Sequence, residues 1–168
     1  AQIAVQASLT GHLVFTTLHT NDAPSTIARL VDLGLEPFLV TATIEAIVAQ
    51  RLVRRICANC TEEFHPSEDM LMELELRPED VHGRTFMYGK GCDYCNNTGY
   101  KGRMGLFEIM TLNDDIREMI MQRGSTNVLR RAARKYGMRT LREAGLLAIY
   151  EGTTTLEEVA KETLVEEV

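Results

Sequence analysis

The spacing of apolar and polar positions divides the chain into stretches of different rhythm. Ile3, Val5 and Ala7 give residues 1–10 an apolar side at helical spacing with no capping residue in front, so this stretch reads as the tail of a helix ended by Gly11. His12-Leu-Val-Phe-Thr-Thr-Leu18 is a β-branched and aromatic run with little alternation, the pattern of a strand buried on both faces of an α/β sheet. His19-Thr-Asn-Asp22 follows as a polar turn at the carboxyl end of that strand, where open α/β sheets place their ligands. Asp22-Ala-Pro-Ser25 offers an N-cap and an early proline to a helix with Ile27, Leu30, Val31 and Leu33 on its apolar face and Gly34 as its stop. From Pro37 to Arg55, Leu39, Val40, Ile44, Ile47, Val48 and Leu52 recur at helical spacing, which predicts a second helix. Arg51, Arg54 and Arg55 would then complement its dipole at the carboxyl end.

Beyond residue 56 the rhythm breaks. Thr61 to Gly91 is acidic and rich in turn residues, with Pro66, Pro78 and Gly83 and only scattered apolar positions, too few to bury a core unaided. Gly99-Tyr-Lys-Gly-Arg-Met-Gly105 is a glycine-rich turn, and Leu106-Phe-Glu-Ile-Met110 predicts a short strand returning to the core. Four segments of helical spacing follow, Asn113–Gln122, Thr126–Tyr136, Leu141–Tyr150 and Leu156–Leu164, separated by Gly124, Gly137 and Gly152. Thr153-Thr-Thr-Leu-Glu-Glu158 reads as a capping box before the last helix.

The acidic stretch is framed by Cys57-Ala-Asn-Cys60 and Cys92-Asp-Tyr-Cys95, two pairs 31 residues apart that use every cysteine in the chain. Each C-x-x-C holds two thiolates on a tight turn, and two such turns facing each other supply the four soft ligands of tetrahedral zinc. Two disulfides, a redox pair or a ligated iron are the rival chemistries, and His65 or His82 could replace a cysteine as ligand. Four thiolates leave no open position for water, so the expected zinc is structural and lends stability that the insert lacks, and a zinc hydrolase is set aside. No secretory leader pattern and no apolar run near the ~20 residues of a membrane span are present, which points to a reducing, cytoplasmic setting.

The formal charge of −6 is unevenly placed: residues 57–110 carry five basic and ten acidic side chains, against four and four before them and nine and ten after. Four thiolates around one divalent ion would take the balance from −6 to −8, so binding nucleic acid through a basic face is not expected.

The run Thr10-Gly-His-Leu-Val-Phe-Thr-Thr-Leu-His-Thr-Asn-Asp-Ala23, the Ala49-Gln-Arg-Leu-Val53 segment, the two C-x-x-C pairs, the Gly99–Gly105 turn and Gly137-Met-Arg-Thr-Leu-Arg-Glu-Ala-Gly145 occur in the order found in the ATPase superfamily of type II secretion and type IV pilus assembly, which this chain resembles over nearly its whole length. The resemblance implies an α/β fold: the carboxyl-terminal part of a P-loop (RecA-like) ATPase core, with an inserted tetracysteine zinc module and a carboxyl-terminal helical subdomain. It further implies a hexameric ring that uses ATP and Mg²⁺ to drive an inner-membrane assembly platform, with the protein held at the membrane only through partners. The phosphate-cradling G-x-x-x-x-G-K-[ST] loop is not in the sequence, nor is the acidic strand-end motif for magnesium, and Gly89-Lys90-Gly91 is no substitute. The chain is therefore expected to be inactive alone.

The same resemblance assigns His12 and His19 to a histidine box near the nucleotide's terminal phosphate, where an imidazole could sense phosphate or position the attacking water. From residue chemistry alone, His12 beside a buried strand is equally a hydrogen-bonded structural residue. Arg51 could offer its guanidinium fork to phosphate, to a carboxylate or to a helix end. The 92–104 run and the Gly137–Gly145 stretch look closer to pilus extension motors than to type II secretion motors, and the retraction motors lack the tetracysteine module. The expected division is 1–56 for the ATPase-core portion, 57–105 for the metal module and 106–168 for a strand and helical subdomain. A free-standing zinc-ribbon adaptor that binds a protein partner is the alternative from another class.

Overall fold

The computed structural model describes residues 1–163. A two-stranded ribbon organises the chain. Its first strand, β1, is Ala46–Ile56, and its second, β4, is Tyr100–Thr111. The Leu112 N–H donates to the Glu45 carbonyl at one end, and the Cys57 N–H to the Gly99 carbonyl at the other, the pairing of an antiparallel ribbon. Among the described residues the chain divides into two units, residues 1–49 with 108–140, and residues 50–107 with 141–163.

In the first unit, α1 (Gln2–Leu9), α2 (Ala23–Asp32) and α3 (Pro37–Thr43) pack with α5 (Asp114–Met121) and α6 (Thr126–Lys135). Val40, Met110 and Ile116 are completely buried in its core, joined by Ile27, Leu30, Ile120 and Leu129. The Asp22 side chain caps α2 by accepting the Ser25 N–H at 2.8 Å, as the sequence implies, and Asn113 caps α5 in the same way through Ile116. Gly34 ends α2 with a φ of 86°, a left-handed conformation that costs glycine nothing.

In the second unit, β2 (Thr61–Phe64) pairs antiparallel with β3 (Phe86–Gly89), Thr61 opposite Gly89 and Phe64 opposite Phe86. The one-turn α4 (Glu68–Met72) lies between them in sequence, and α7 (Leu141–Tyr150) packs on α8 (Leu156–Glu162). The insert does acquire a core: Leu71, Leu74 and Phe86 are buried, and the Phe86 ring meets Tyr150 of α7 edge-on, with centroids 6.1 Å apart. Its scattered apolar residues suffice because helices from the far end of the chain cover them.

Two expectations are overturned. The helix foreseen from Pro37 to Arg55 stops at Thr43, and residues 46–56 are strand. Ile44, Ile47, Val48 and Val53 are β-branched, and the burial along β1 alternates over most of its length, so a paired partner in β4 decides for the ladder over a helix-like spacing. The strand foreseen at His12–Leu18 does not form. Residues 12–20 lack regular structure, and Leu13 and Phe15 are 84% and 89% exposed. No strand among the described residues pairs with this segment, so its backbone groups have no ladder to join. The short strand expected at Leu106–Met110 lies within the longer β4. The helices expected after residue 112 are all present, though Leu164, the expected end of the last, lies outside the described residues.

The capping box before α8 is only half formed. Thr155 accepts the Glu158 N–H, but the Glu158 carboxylate turns away and accepts the Arg54 N–H of β1 at 2.9 Å and its guanidinium at 2.6 Å. Thr154 donates its hydroxyl to the Arg54 carbonyl, and the Ile56 N–H donates to the Thr153 carbonyl, so residues 153–158 fasten the edge of β1.

Candidate metal centre and the histidine segment

Cys57 directly follows β1, Cys60 precedes β2, and Cys92 and Cys95 occupy the turn before β4, so the ribbon end and the β2–β3 hairpin bring the four sulfurs together. All four Sγ atoms lie within 4.8 Å of one another, with Cys57–Cys92 at 3.9 Å, Cys60–Cys95 at 3.8 Å and Cys92–Cys95 at 3.8 Å. A tetrahedron with zinc–sulfur bonds of about 2.3 Å has edges of about 3.8 Å, whereas a disulfide holds its sulfurs at about 2.05 Å. The sulfurs are thus spaced to hold a tetrahedral metal ion, and all four cysteines are free thiols. His65 and His82 are exposed and do not join the cluster.

Backbone geometry prepares the cluster for anions. Cys60 Sγ accepts the Gly91 N–H, and Cys95 Sγ accepts those of Cys92 and Gly99, each at 3.3 Å. Asn96 and Asn97 adopt left-handed backbone, which returns the chain after the second knuckle so that the Gly99 N–H reaches the sulfur. Burial pushes the Cys60 thiol up to about 12, and its three neighbouring thiols add to the rise. Burial also works against ionisation of Cys95, but the two N–H donors and the neighbouring thiols outweigh it and bring that group down to about 6. One sulfur is therefore prepared as an anion, and a divalent ion would supply the positive charge that the others need in order to lose their protons.

Gly89-Lys90-Gly91 belongs to this architecture. A Cβ on Gly89 would lie 1.9 Å from the Gly99 carbonyl oxygen, so the two backbones touch and only glycine fits. The Lys90 N–H donates to the Cys60 carbonyl, and its ammonium pairs with Glu62 at 3.1 Å.

The other candidate residues are placed apart from the cysteines in the sequence and its elements. His12 and His19 sit on the exposed 12–20 segment, and His12 Nδ1 lies 3.0 Å from the Thr10 hydroxyl, a local contact. Arg51 lies in β1, half-buried, rather than at a helix end. Sequence reasoning missed three polar groups. Buried Glu108 of β4 accepts the Ala23 N–H at 2.7 Å, and Arg130 of α6 pairs with Asp22 at 2.5 Å. Buried Arg142 of α7 donates to the carbonyls of Glu73 and Thr163. Glu108 sits at a position where β4 alternates inward, which is the signal that a charged residue there has a buried partner.

The sequence model of the family described as "Type II/IV secretion system protein" matches residues 1–161. The type IV pilus assembly ATPase PilB of Thermus thermophilus is 44% identical over 164 residues, covering 98% of this chain and 18% of that protein. The type II secretion system protein HxcR of Pseudomonas aeruginosa is 48% identical over 163 residues, covering 97% of this chain and 31% of that protein. Among solved structures, the pilus retraction motor PilT with bound ADP superposes with a TM-score of 0.62 at 23% identity, over 98% of this chain and 36% of that one, a likeness of fold. The chain spans between 18% and 32% of the length of such curated relatives. Among the described residues no helix is long and apolar enough to cross a membrane.

Proposed function

Because the chain belongs to the Type II/IV secretion system protein family, we propose that it is the carboxyl-terminal part of an ATP-driven assembly motor and that its four cysteines hold a structural zinc ion. The observation that carries the zinc reading is the near-tetrahedral spacing of the sulfurs, three of whose separations are 3.8–3.9 Å. Bound there, zinc would supply charge and a cross-link between the end of β1 and the start of β4, with no position left for substrate. Cys57, Cys60, Cys92 and Cys95 are its ligands, and the N–H groups of Gly91, Cys92 and Gly99 temper the charge on Cys60 and Cys95.

In this reading residues 1–56 complete an ATPase core, 57–105 form the metal module and 106–168 a strand and helical subdomain. The phosphate loop and magnesium site come from residues outside this chain, which also cover Leu13 and Phe15. His19 faces the terminal phosphate of ATP, with His12 nearby in sequence and Arg51 available to an anion. The assembled protein is a cytoplasmic hexameric ring that engages an inner-membrane platform protein and no nucleic acid. Pilus extension is the favoured task, on the 92–104 and 137–145 runs. Type II secretion is the second reading, since HxcR is 48% identical.

The test is elemental analysis of the purified chain together with ATP hydrolysis by this chain alone and by the full-length protein. One zinc per chain and turnover only at full length would support the proposal. A chain that purifies reduced, takes up no zinc and melts unchanged with added chelator would defeat the metal reading, and turnover by this chain alone would show that the nucleotide site is misplaced. Complementation of strains lacking either motor separates pilus extension from secretion.

A further inference from the structure

We infer that Glu108 and Arg130 are positioning residues that fix the turn carrying His19, an inference that rests on the proposed role of His19 at the nucleotide. The 12–20 segment has no regular structure of its own, so the place of His19 depends on how the chain just after it is anchored. Four ties lie within the next residues. The Thr20 and Thr26 hydroxyls meet at 2.8 Å. Asp22 accepts the Ser25 N–H through Oδ1 and the Arg130 guanidinium through Oδ2, and the Ala23 N–H donates to Glu108 Oε1. The last two come from residues 108 and 85 positions away in the chain, so the turn is fixed from α6 and from β4 as well as from its own helix.

Capping α2 does not require this much. Asp22 already serves Ser25, and a carboxylate that is 2% exposed carries a desolvation cost that a neutral acceptor for the Ala23 N–H would avoid. Arg130 and Asp22 are themselves mostly buried, with side chains 16% and 23% exposed, so their pair is shielded and directional rather than a loose surface contact. The arrangement also closes the amino end of α2 to phosphate, because two carboxylates already occupy its N–H groups. An incoming anion must then be met by something other than the helix's own N–H groups, and His19 is the basic side chain nearest to them in sequence on the segment that leads into α2. A shift of that turn by about 1 Å would carry a rate penalty of up to about 100-fold through misplacement alone.

The experiment is a double-mutant cycle in the full-length protein, with kcat and KM for ATP measured for Glu108→Gln, Arg130→Gln, Arg130→Lys and His19→Ala, alone and combined. Arg130→Gln is expected to lower kcat about 10-fold with KM within about twofold, Glu108→Gln, which keeps an acceptor for the Ala23 N–H, to lower it less than about threefold, and Arg130→Lys to recover most of the Arg130→Gln loss. In the His19→Ala background each should cost less than about twofold more, since both act through that residue. Losses that multiply in that background, or wild-type turnover for both glutamine variants, overturn the inference. Wild-type turnover for His19→Ala overturns the reading it rests on, and the inference with it. Should Glu108→Gln not fold, the Arg130 variants carry the same cycle.

Discussion

Replacing Glu158 with alanine tests how α8 is fastened to β1. The Glu158 side chain is 4% exposed and accepts two hydrogen bonds from Arg54, one from the backbone N–H and one from the guanidinium. Burial raises the pKa of its carboxyl, but the Arg54 side-chain and backbone hydrogen bonds more than compensate and hold it below its ordinary value of 4.5. Truncation to alanine removes one buried methylene, at ~0.8 kcal/mol, together with the carboxylate. It also leaves the Arg54 N–H without its acceptor, at about 1–3 kcal/mol. The guanidinium side chain is 50% exposed and turns to water, so it adds little. The expected loss is about 2–4 kcal/mol. Glu158→Gln keeps an acceptor for the N–H and gives up only the charge assistance, at about 1 kcal/mol. Urea unfolding with all variants zinc-loaded gives the stability change, and hydrogen exchange at the Arg54 amide gives the local one. An alanine variant within about 0.5 kcal/mol of the parent, with the Arg54 amide still protected, would refute the reasoning.

Gly145→Ala should destabilise the protein by about 1–3 kcal/mol, because the added Cβ would lie 2.3 Å from a Val159 methyl where α7 meets α8, and Gly145→Ala with Val159→Ala should recover part of the loss in the same unfolding assay. Asp22 and Glu158 both have folded pKa values below their ordinary 3.8 and 4.5, so the unfolded chain binds protons first as pH falls. Their contribution is complete above the unfolded values and is lost as pH falls through the folded ones, so melting temperature should drop below about pH 4.5. The drop should be shallower in Glu158→Gln, and an identical pH profile for the two proteins would count against it.

The meeting of the four cysteines is legible in the sequence by itself, because two C-x-x-C pairs frame one candidate ligand set whatever the fold around them. So are the cap at Asp22 and the helices after residue 112, where local signals agree with the final packing. The failures lie where partners decide. Leu39, Val40, Ile44, Ile47, Val48 and Leu52 fit helical spacing better than strand alternation, since Val48 and Leu52 fall on the exposed side of β1, and β4, which begins at Tyr100, settles the matter from far along the chain. His12–Leu18 carries the composition of a buried strand but finds no ladder among the described residues. Glu158 matches a local capping motif and is claimed by Arg54, 104 residues earlier in the chain, a contact that no window of sequence displays.

Among the described residues each of the two units is assembled from two separate stretches, 108–140 joining 1–49 in the first and 141–163 joining 50–107 in the second. During synthesis the described stretches of the first unit have all emerged once Thr140 has, while Leu71, Leu74 and Phe86 still await α7 and α8. All four thiols have emerged by then too, so the proposed zinc ion would be able to cross-link the two knuckles before the covering helices exist. On the proposed zinc reading, a nascent chain starved of zinc would pass through that interval with its apolar insert both uncovered and untied, and metal supply during translation would then set how much protein reaches the native state and how much aggregates.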